Sequence, residues 1–452
     1  YVRVEDDDAN ADGGTAEALT VLLSSATEDA GESLTLTETG MNTGIFEGSM
    51  SFDASGGVSS DGVLQVSRGD KLTALYADPA DDFGNPVDIT DVAFYGVTLM
   101  SGTLYGPNTW ELANSPYLVT GDVVVDGSAS LTIEPGVEVR FVPLSDELSM
   151  GNDANRSELY VYGTLTAEGT ETDNIIFTSN SENPSSGDWY GIYVRNSSAH
   201  ALISYTQIAY ATYGILMQEM YGTTEDTVRI THNYIHHSGT GIQDSQGQRY
   251  YEIHHNLLED LSGSGIHFGY SSYREASCAF HDNVIRRVNS YGIYAYRRNV
   301  VDLARNMFDG GSEWGIALDQ NNTVTMSQDS VRNRGSGIHV NQIDQVNISE
   351  VVVEGIYSGW GLDIYRSNAV VEHSKIMNNE LGINISTDFE HPTTDSLRFN
   401  VITGNSNYGV KNNNYGRPVV QYNDLYDNGS YDFYNESTAW SELDVRYNWW
   451  GQ

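Results

Sequence analysis

The sequence predicts an all-β chain in which a small β-sandwich is followed by a long solenoid of stacked turns. Three observations predict it. A glycine followed by an apolar residue returns every 21 to 27 residues from Gly191 to Gly409, and a fixed period of that size marks a stacked repeat. Between the glycines a second phrase recurs: an apolar alternation, an Asn, and a further apolar residue. The first hundred residues lack both phrases and consist of short alternating runs separated by Gly, Asp and Ser.

The glycine phrase reads Gly191-Ile192-Tyr193-Val194 and recurs at Gly214, Gly241, Gly265, Gly292, Gly315, Gly337, Gly361, Gly382 and Gly409. The second phrase is clearest at Val228, Ile230, Asn233 and Ile235, and at Phe280, Asn283 and Ile285. Alternation with period two indicates strands with one buried face, and the runs are too short and too rich in Asn, Ser and Gly for helices. Each period is then one turn of a coil whose inward residues stack on those of the next turn. The recurring Asn is expected to adopt a left-handed backbone conformation at a bend and to form an amide ladder along the coil. The glycine is expected at another bend that needs permissive angles. Gln328, Ser349 and Ser374 stand near the Asn bend in three turns, where the ladder is expected to break. The leucine-rich phrase of another solenoid class is absent.

This pattern resembles the right-handed parallel β-helix repeat of secreted and surface proteins, and the resemblance covers most of residues 104–452. Residues 99–184 carry alternating phrases at 131–141 and 159–170 that resemble the entry turns of such proteins, and residues 185–452 hold the repeat turns. In residues 1–98, strands are expected at 1–4, 18–24, 33–39, 44–52, 63–66, 71–77 and 89–97, a spacing that suggests a β-sandwich. The stretch 34–49, LTLTETGMNTGIFEGS, resembles a phrase of the immunoglobulin-like modules of large surface proteins. That likeness implies a spacer or docking module.

The formal charge of −40, with 62 acidic against 22 basic residues, argues against nucleic acid and anionic membrane surfaces as partners. Only Lys71, Lys375 and Lys411 are lysines, which suits a salty or calcium-rich milieu. Cys278 is the single cysteine, so no intrachain disulfide forms. No apolar run reaches membrane-spanning length. The chain opens without an initiating Met or a signal peptide, and a processed or partial chain exported to the cell surface or beyond is expected.

Calcium is the expected cofactor. Asp8, Asn10, Asp12 and Gly13 follow a D-x-N-x-D-G spacing that converges alternate side chains on a hard cation. Leu19 stands where that loop's closing Glu belongs. Asp78, Asp81 and Asp82 could add ligands from a second acidic loop.

Several enzymes with the β-helix fold act on acidic polysaccharides, and their chemistry needs paired carboxylates or a base with calcium. Outward residues two after each glycine include His267, Tyr294, Ala317, His339 and Asp363, and those two further on include Tyr296, Asp319 and Tyr365. Asp319, His339 and Asp363 lie on successive turns and are the best catalytic candidates. Two turns separate the carboxylates by about 10 Å, wide for a pair acting on one bond. The Asp-Asp and Gly-His-Gly phrases of polygalacturonases and the Asp-Pro-His-Glu of mannuronan epimerases are absent. Aromatic residues precede the glycine at Tyr190, Tyr213, Tyr291, Trp314 and Trp360. With His267, Tyr294, Tyr296 and Tyr365 they form a row suited to a glycan or to another protomer. Seven of the eleven His fall between His232 and His281; stacked imidazoles at a bend bind zinc or copper or serve only as polar stacking.

The expected function is therefore an extracellular structural protein, a filament subunit or adhesin-type spacer that associates with itself end to end. The alternative is a protein that binds or degrades polysaccharide through the outward stack.

Overall fold

The computed structural model describes every residue except 57–59, 82, 197–198, 221–227, 247–249, 270–276, 392, 438–442 and 452. The chain forms two compact units, Tyr1–Thr98 and Leu99–Gln452. No helix among the described residues is long and apolar enough to cross a membrane.

The first unit contains strands β1 (Val2–Glu5), β2 (Ala18–Ser25), β3 (Glu32–Glu38), β4 (Ile45–Gly48), β5 (Ser51–Asp53), β6 (Val63–Gln65), β7 (Lys71–Asp78) and β8 (Val87–Phe94). Six of them make a curled antiparallel sheet in the order β1-β4-β3-β2-β7-β8, and β5 and β6 form a separate parallel pair. Strand β3 shows how the pattern folds: its alternate residues Leu34 and Leu36 enter a core with Val21, Phe46, Leu64, Val66 and Tyr76. Glu32 and Glu38 at its ends are buried too, because their carboxylates accept turn N–H groups. Glu38 binds Gly44 at 3.0 Å and Glu32 binds Asp61 at 2.9 Å.

The second unit is a coil with three strands per turn. Gly191–Arg195, His200–Ser204 and Thr206–Ala209 make one turn, and Tyr213–Gln218, Val228–Thr231 and Tyr234–His236 the next. Each strand pairs in parallel with its counterpart in the following turn. One of the three resulting sheets counts 13 strands, from Pro107–Trp110 to Val419–Gln421, and at roughly 4.8 Å per strand the coil is about 60 Å long. A single apolar core runs from Trp110 to Leu425. Among its contacts, Phe141 and Trp189 stack with ring centroids 3.9 Å apart.

The repeat glycine serves close packing. Of the ten, only Gly191 has a positive φ, +141°, so the expected permissive bend is not its general role. A Cβ on Gly315 would lie 2.4 Å from Cγ1 of Val331, and one on Gly292 2.5 Å from Cδ1 of Phe308. Any side chain there would drive the strand off the inward residue of the same turn.

The Asn ladder exists, with two corrections. The left-handed residue is the one before the Asn: His232, His255 and Arg305 have φ of 58°, 57° and 56°, while Asn233, Asn256 and Asn306 do not. The bend then turns the Asn side chain inward, where its Oδ1 accepts from the preceding turn and its Nδ2 donates to the next. Asn256 donates through its N–H and Nδ2 to Oδ1 of Asn283 at 3.1 and 3.0 Å, and Asn283 repeats this on Asn306. The ladder also continues through the turn of Gln328, but it does lapse, as expected, in the turn of Ser349. Gln328 is the left-handed residue, and Asp329 takes the ladder place, accepting from Asn306 at 2.8 Å. In the next turn the place falls to Val351, whose N–H donates to Oγ of Ser374, and Asn400, Asn423 and Asn448 resume the chain of amides. A second ladder, Asn379, Asn405 and Asn428, runs along another corner.

Candidate functional site

The sheet that carries the repeat glycines presents one outward column in unbroken register: His267, Tyr294, Ala317, His339, Asp363 and Asn384 face one another across successive strands. The neighbouring column runs Tyr296, Asp319, Asn341, Tyr365 and Ser386. Because both columns point away from the core, parallel pairing brings residues 21 to 24 positions apart into contact.

Here the structure brings Asp319, His339 and Asp363 together. Nδ1 of His339 lies 2.8 Å from Oδ2 of Asp363, and its Nε2 lies 3.9 Å from Oδ1 of Asp319. Amides hold the carboxylates from the side: Asn341 donates to Asp319 and Asn384 to Asp363, each at 2.7 Å. The three ionisable side chains are 16 to 20% exposed. An imidazole hydrogen-bonded to Asp363 and 3.9 Å from Asp319 makes a polar relay along the turns and does not leave a bare carboxylate pair flanking one bond, the arrangement that glycoside hydrolysis uses.

The aromatic residues divide into two groups. Tyr190 and Tyr213 belong to a cluster with Tyr160, Tyr193 and Leu216 on the outer side of the entry turns. Tyr160 and Tyr193 stack at 4.7 Å with planes 2° apart, so their faces are spent on each other. His267, Tyr291, Tyr294 and Tyr296 form the second group, with centroids 4.9 to 6.4 Å apart. Trp314 extends it to His339 at 5.1 Å. Trp360 stands in the column before the glycine, level with Leu381, and the Arg366 guanidinium sits over the Tyr365 ring. Burial pushes the Tyr294 hydroxyl well above the ordinary phenol range, and Asp319 adds to the shift.

The acidic loops of the first unit are gathered only in part. Asp8, Asp78 and Asp81 line one recess with Glu5, Asp6 and Asp7. Asn10 instead donates to Asn42 at 3.0 Å, and Asp12 closes its own turn on the N–H of Gly14. Asp82 lies outside the described residues.

Sequence reasoning missed two buried polar groups. Asp122 and Glu158 are fully buried. Burial pushes the Glu158 carboxyl up to about 8 and that of Asp122 up to about 6. Their only sequence signal is an acid at an otherwise apolar strand position. The second group is Arg298 with Asp244, a fully enclosed ion pair in the coil core. The histidines do stack as their register implies: His232 and His255 lie 4.7 Å apart with planes 13° apart. Neighbouring Nδ1 atoms of His236 and His237 are 2.7 Å apart, and burial lowers His236 to about 4.

Residues 159–331 match the family model of the right-handed β-helix region. The coil is a right-handed parallel β-helix. Residues 311–443 match the model of the periplasmic copper-binding protein NosD. No curated protein matches the chain.

Copper prefers imidazole and sulfur ligands, and the β-helix stretch matched to NosD does not gather them. Met326 is sealed in the core, His339 is held between two aspartates, His373 stacks on Phe399, and His391 binds Asp388. Among the described residues no group of three or more His, Cys, Asp or Glu is disposed to hold a metal ion. The described residues of 311–443 do not fit copper.

Proposed function

We propose that the protein is an exported structural element, a rigid β-helical spacer of the periplasm or cell exterior that works as a filament, surface-layer or adhesin-type subunit. One observation carries this reading. In the outward columns Asn341 donates to Asp319, Asn384 donates to Asp363 and His339 bonds to Asp363, so the best cluster on the surface is a polar ladder that runs along the coil from turn to turn. The single core from Trp110 to Leu425 gives the coil the stiffness a spacer needs, since each turn is fixed to the next by strand pairing and an amide ladder. The periplasmic setting of the NosD family and the charge of −40 support export. In this reading the first unit is an immunoglobulin-like module, and calcium bridges acidic surfaces where copies meet.

Negative-stain microscopy and sedimentation, with calcium and with a chelator, test this. Regular filaments or ordered arrays that dissolve on chelation are expected. Discrete monomers under both conditions would remove self-association.

A second reading, glycan binding along the outward face, is favoured by the aromatic group from His267 to Trp314 beside the Asp319 relay. Saturable binding of a soluble polysaccharide, lost in Tyr294→Ala, would carry it.

A further inference from the structure

The first unit keeps an apolar space that its own strands do not fill. The space measures about 520 Å³ and is lined by both outer strands of the curled sheet, through Val2 and Val4 of β1 and Ile89 and Val92 of β8, and by Leu23 and Leu72. Among the described residues strand β1 pairs only with β4, and β8 only with β7. The space therefore has an unpaired strand edge on either side. An edge of that kind is a template for a further strand, and β8 is long and barely shielded: Ile89 is 51% and Val92 50% exposed. The N–H of Val92 donates to the carboxylate of its neighbour Asp91 at 2.8 Å, outside the ladder with β7.

A recess of about 290 Å³ adjoins this space, sharing Glu5, Tyr76 and Ile89, and is lined by Asp6, Asp7, Asp8, Asp78 and Asp81. None of these five aspartates has an ion pair among the described residues. Neighbours in the sheet are antiparallel throughout, so β1 and β8 run in opposite directions. The recess lies where β1 ends and β8 begins.

We propose that the first unit is a docking module that takes an extended segment of another protein as an added strand between β1 and β8. Alternate apolar side chains of the segment fill the space, and a Lys or Arg at its C-terminal end enters the acidic recess. Strand addition draws affinity from main-chain hydrogen bonds and specificity from pockets for alternate side chains. Antiparallel pairing on the longer edge, β8, makes the segment parallel to β1 and so directs its C-terminal end to the aspartates. Charge selects the occupant. A second copy of this chain brings a formal charge of −40, with 62 acidic against 22 basic residues, and is repelled, whereas a basic segment is attracted.

The test uses the full chain and fluorescein-labelled synthetic peptides of about eight residues that alternate Val and Thr. One ends in Arg-Arg, one begins with Arg-Arg, and one has the composition of the first in scrambled order. By anisotropy the peptide ending in Arg-Arg is expected to bind with a Kd of roughly 10–100 μM, and the reversed and scrambled peptides at least tenfold more weakly. Val92→Pro removes an outward N–H without touching the ladder to β7, and Asp7→Asn with Asp8→Asn removes recess charge. Each is expected to weaken the first peptide at least tenfold with the melting curve unchanged. Absence of binding at about 1 mM, equal binding of the scrambled peptide, or indifference to both variants would overturn the proposal. So would a concentration-dependent dimer abolished by Val92→Pro, which would make a second copy the occupant.

Discussion

Nη2 of Arg298 lies 2.9 Å from Oδ2 of Asp244, with neither side chain reached by solvent and the two 54 positions apart in the chain. Tyr251 donates to the other carboxylate oxygen at 3.1 Å, and the guanidinium lies 5.1 Å from the centre of the Phe268 ring. Ions buried this deeply stand only because each compensates the other. Asp244→Asn strands a charge in the core and is expected to cost about 3–5 kcal/mol. The double substitution Asp244→Leu with Arg298→Met should cost clearly less than the sum of the single losses. Urea unfolding of the parent, Asp244→Leu, Arg298→Met and the double variant checks this, and additive losses would show that the two residues are not coupled.

Asn283→Ala deletes one rung of the amide ladder. It leaves the N–H of Asn256 and the carbonyl of Ile253 without their partners in the core, and unmet buried groups cost about 1–3 kcal/mol each. A fall in stability of roughly 2–5 kcal/mol is expected. Hydrogen exchange should show faster opening in Tyr251–His254 and Ser277–His281 than in Val419–Gln421.

Asp329 occupies the same ladder with a carboxyl where its neighbours have amides. Burial pushes it up to about 7, above the usual aspartate value. A group whose folded pKa is raised stabilises the fold fully at acid pH, and that contribution is lost as pH climbs from about 4 through 7. Asp329→Asn should therefore stabilise the protein at pH 8, by roughly 2–4 kcal/mol, and change little at pH 4. Melting curves across this range decide it. Parallel curves for the two proteins would mean that Asp329 does not titrate there.

His339 and its two aspartates sit near the surface, where ion pairs contribute about 0–1 kcal/mol. Asp363→Ala and His339→Ala are expected to leave the melting midpoint within about 2 °C of the parent. Loss of more would mean that the relay braces the coil.

The strand pattern was plain in the sequence because its cause is local. Gly292-Ile293 and Gly315-Ile316 repeat since each glycine must clear an inward side chain, and period-two alternation then places Tyr294 and Ala317 on the outside, where register sets them side by side. Glycine's role was misjudged, because clearance and backbone freedom select the same residue. The left-handed position was also hidden, since His232, Asp282, Arg305 and Phe399 all adopt it and share no side-chain chemistry. Around residue 328 a polar Gln sits one place before the ladder and resembles its members more than the acid that takes the role. Nothing local could join Asp244 to Arg298, whose contact exists only after two turns are wound between them. In the acidic loops the spacing from Asp8 to Asp12 promised convergence, but the chain turns back on Asn42 and carries Asn10 and Asp12 away.

The residue before each ladder position is held by its backbone, and its side chain points to solvent. Along that corner His232, His255, Asp282, Arg305, Gln328, Glu350, His373 and Phe399 follow one another, joined here by ring stacking and there by the 2.6 Å contact of Arg305 with Asp282. Such a column is a line of text that mutation can rewrite letter by letter, while the amides beneath it keep the spelling of the fold unchanged. Surface identity and structural integrity are thus inherited separately in this architecture, and duplicated turns can diverge on the outside with no need for the interior to follow.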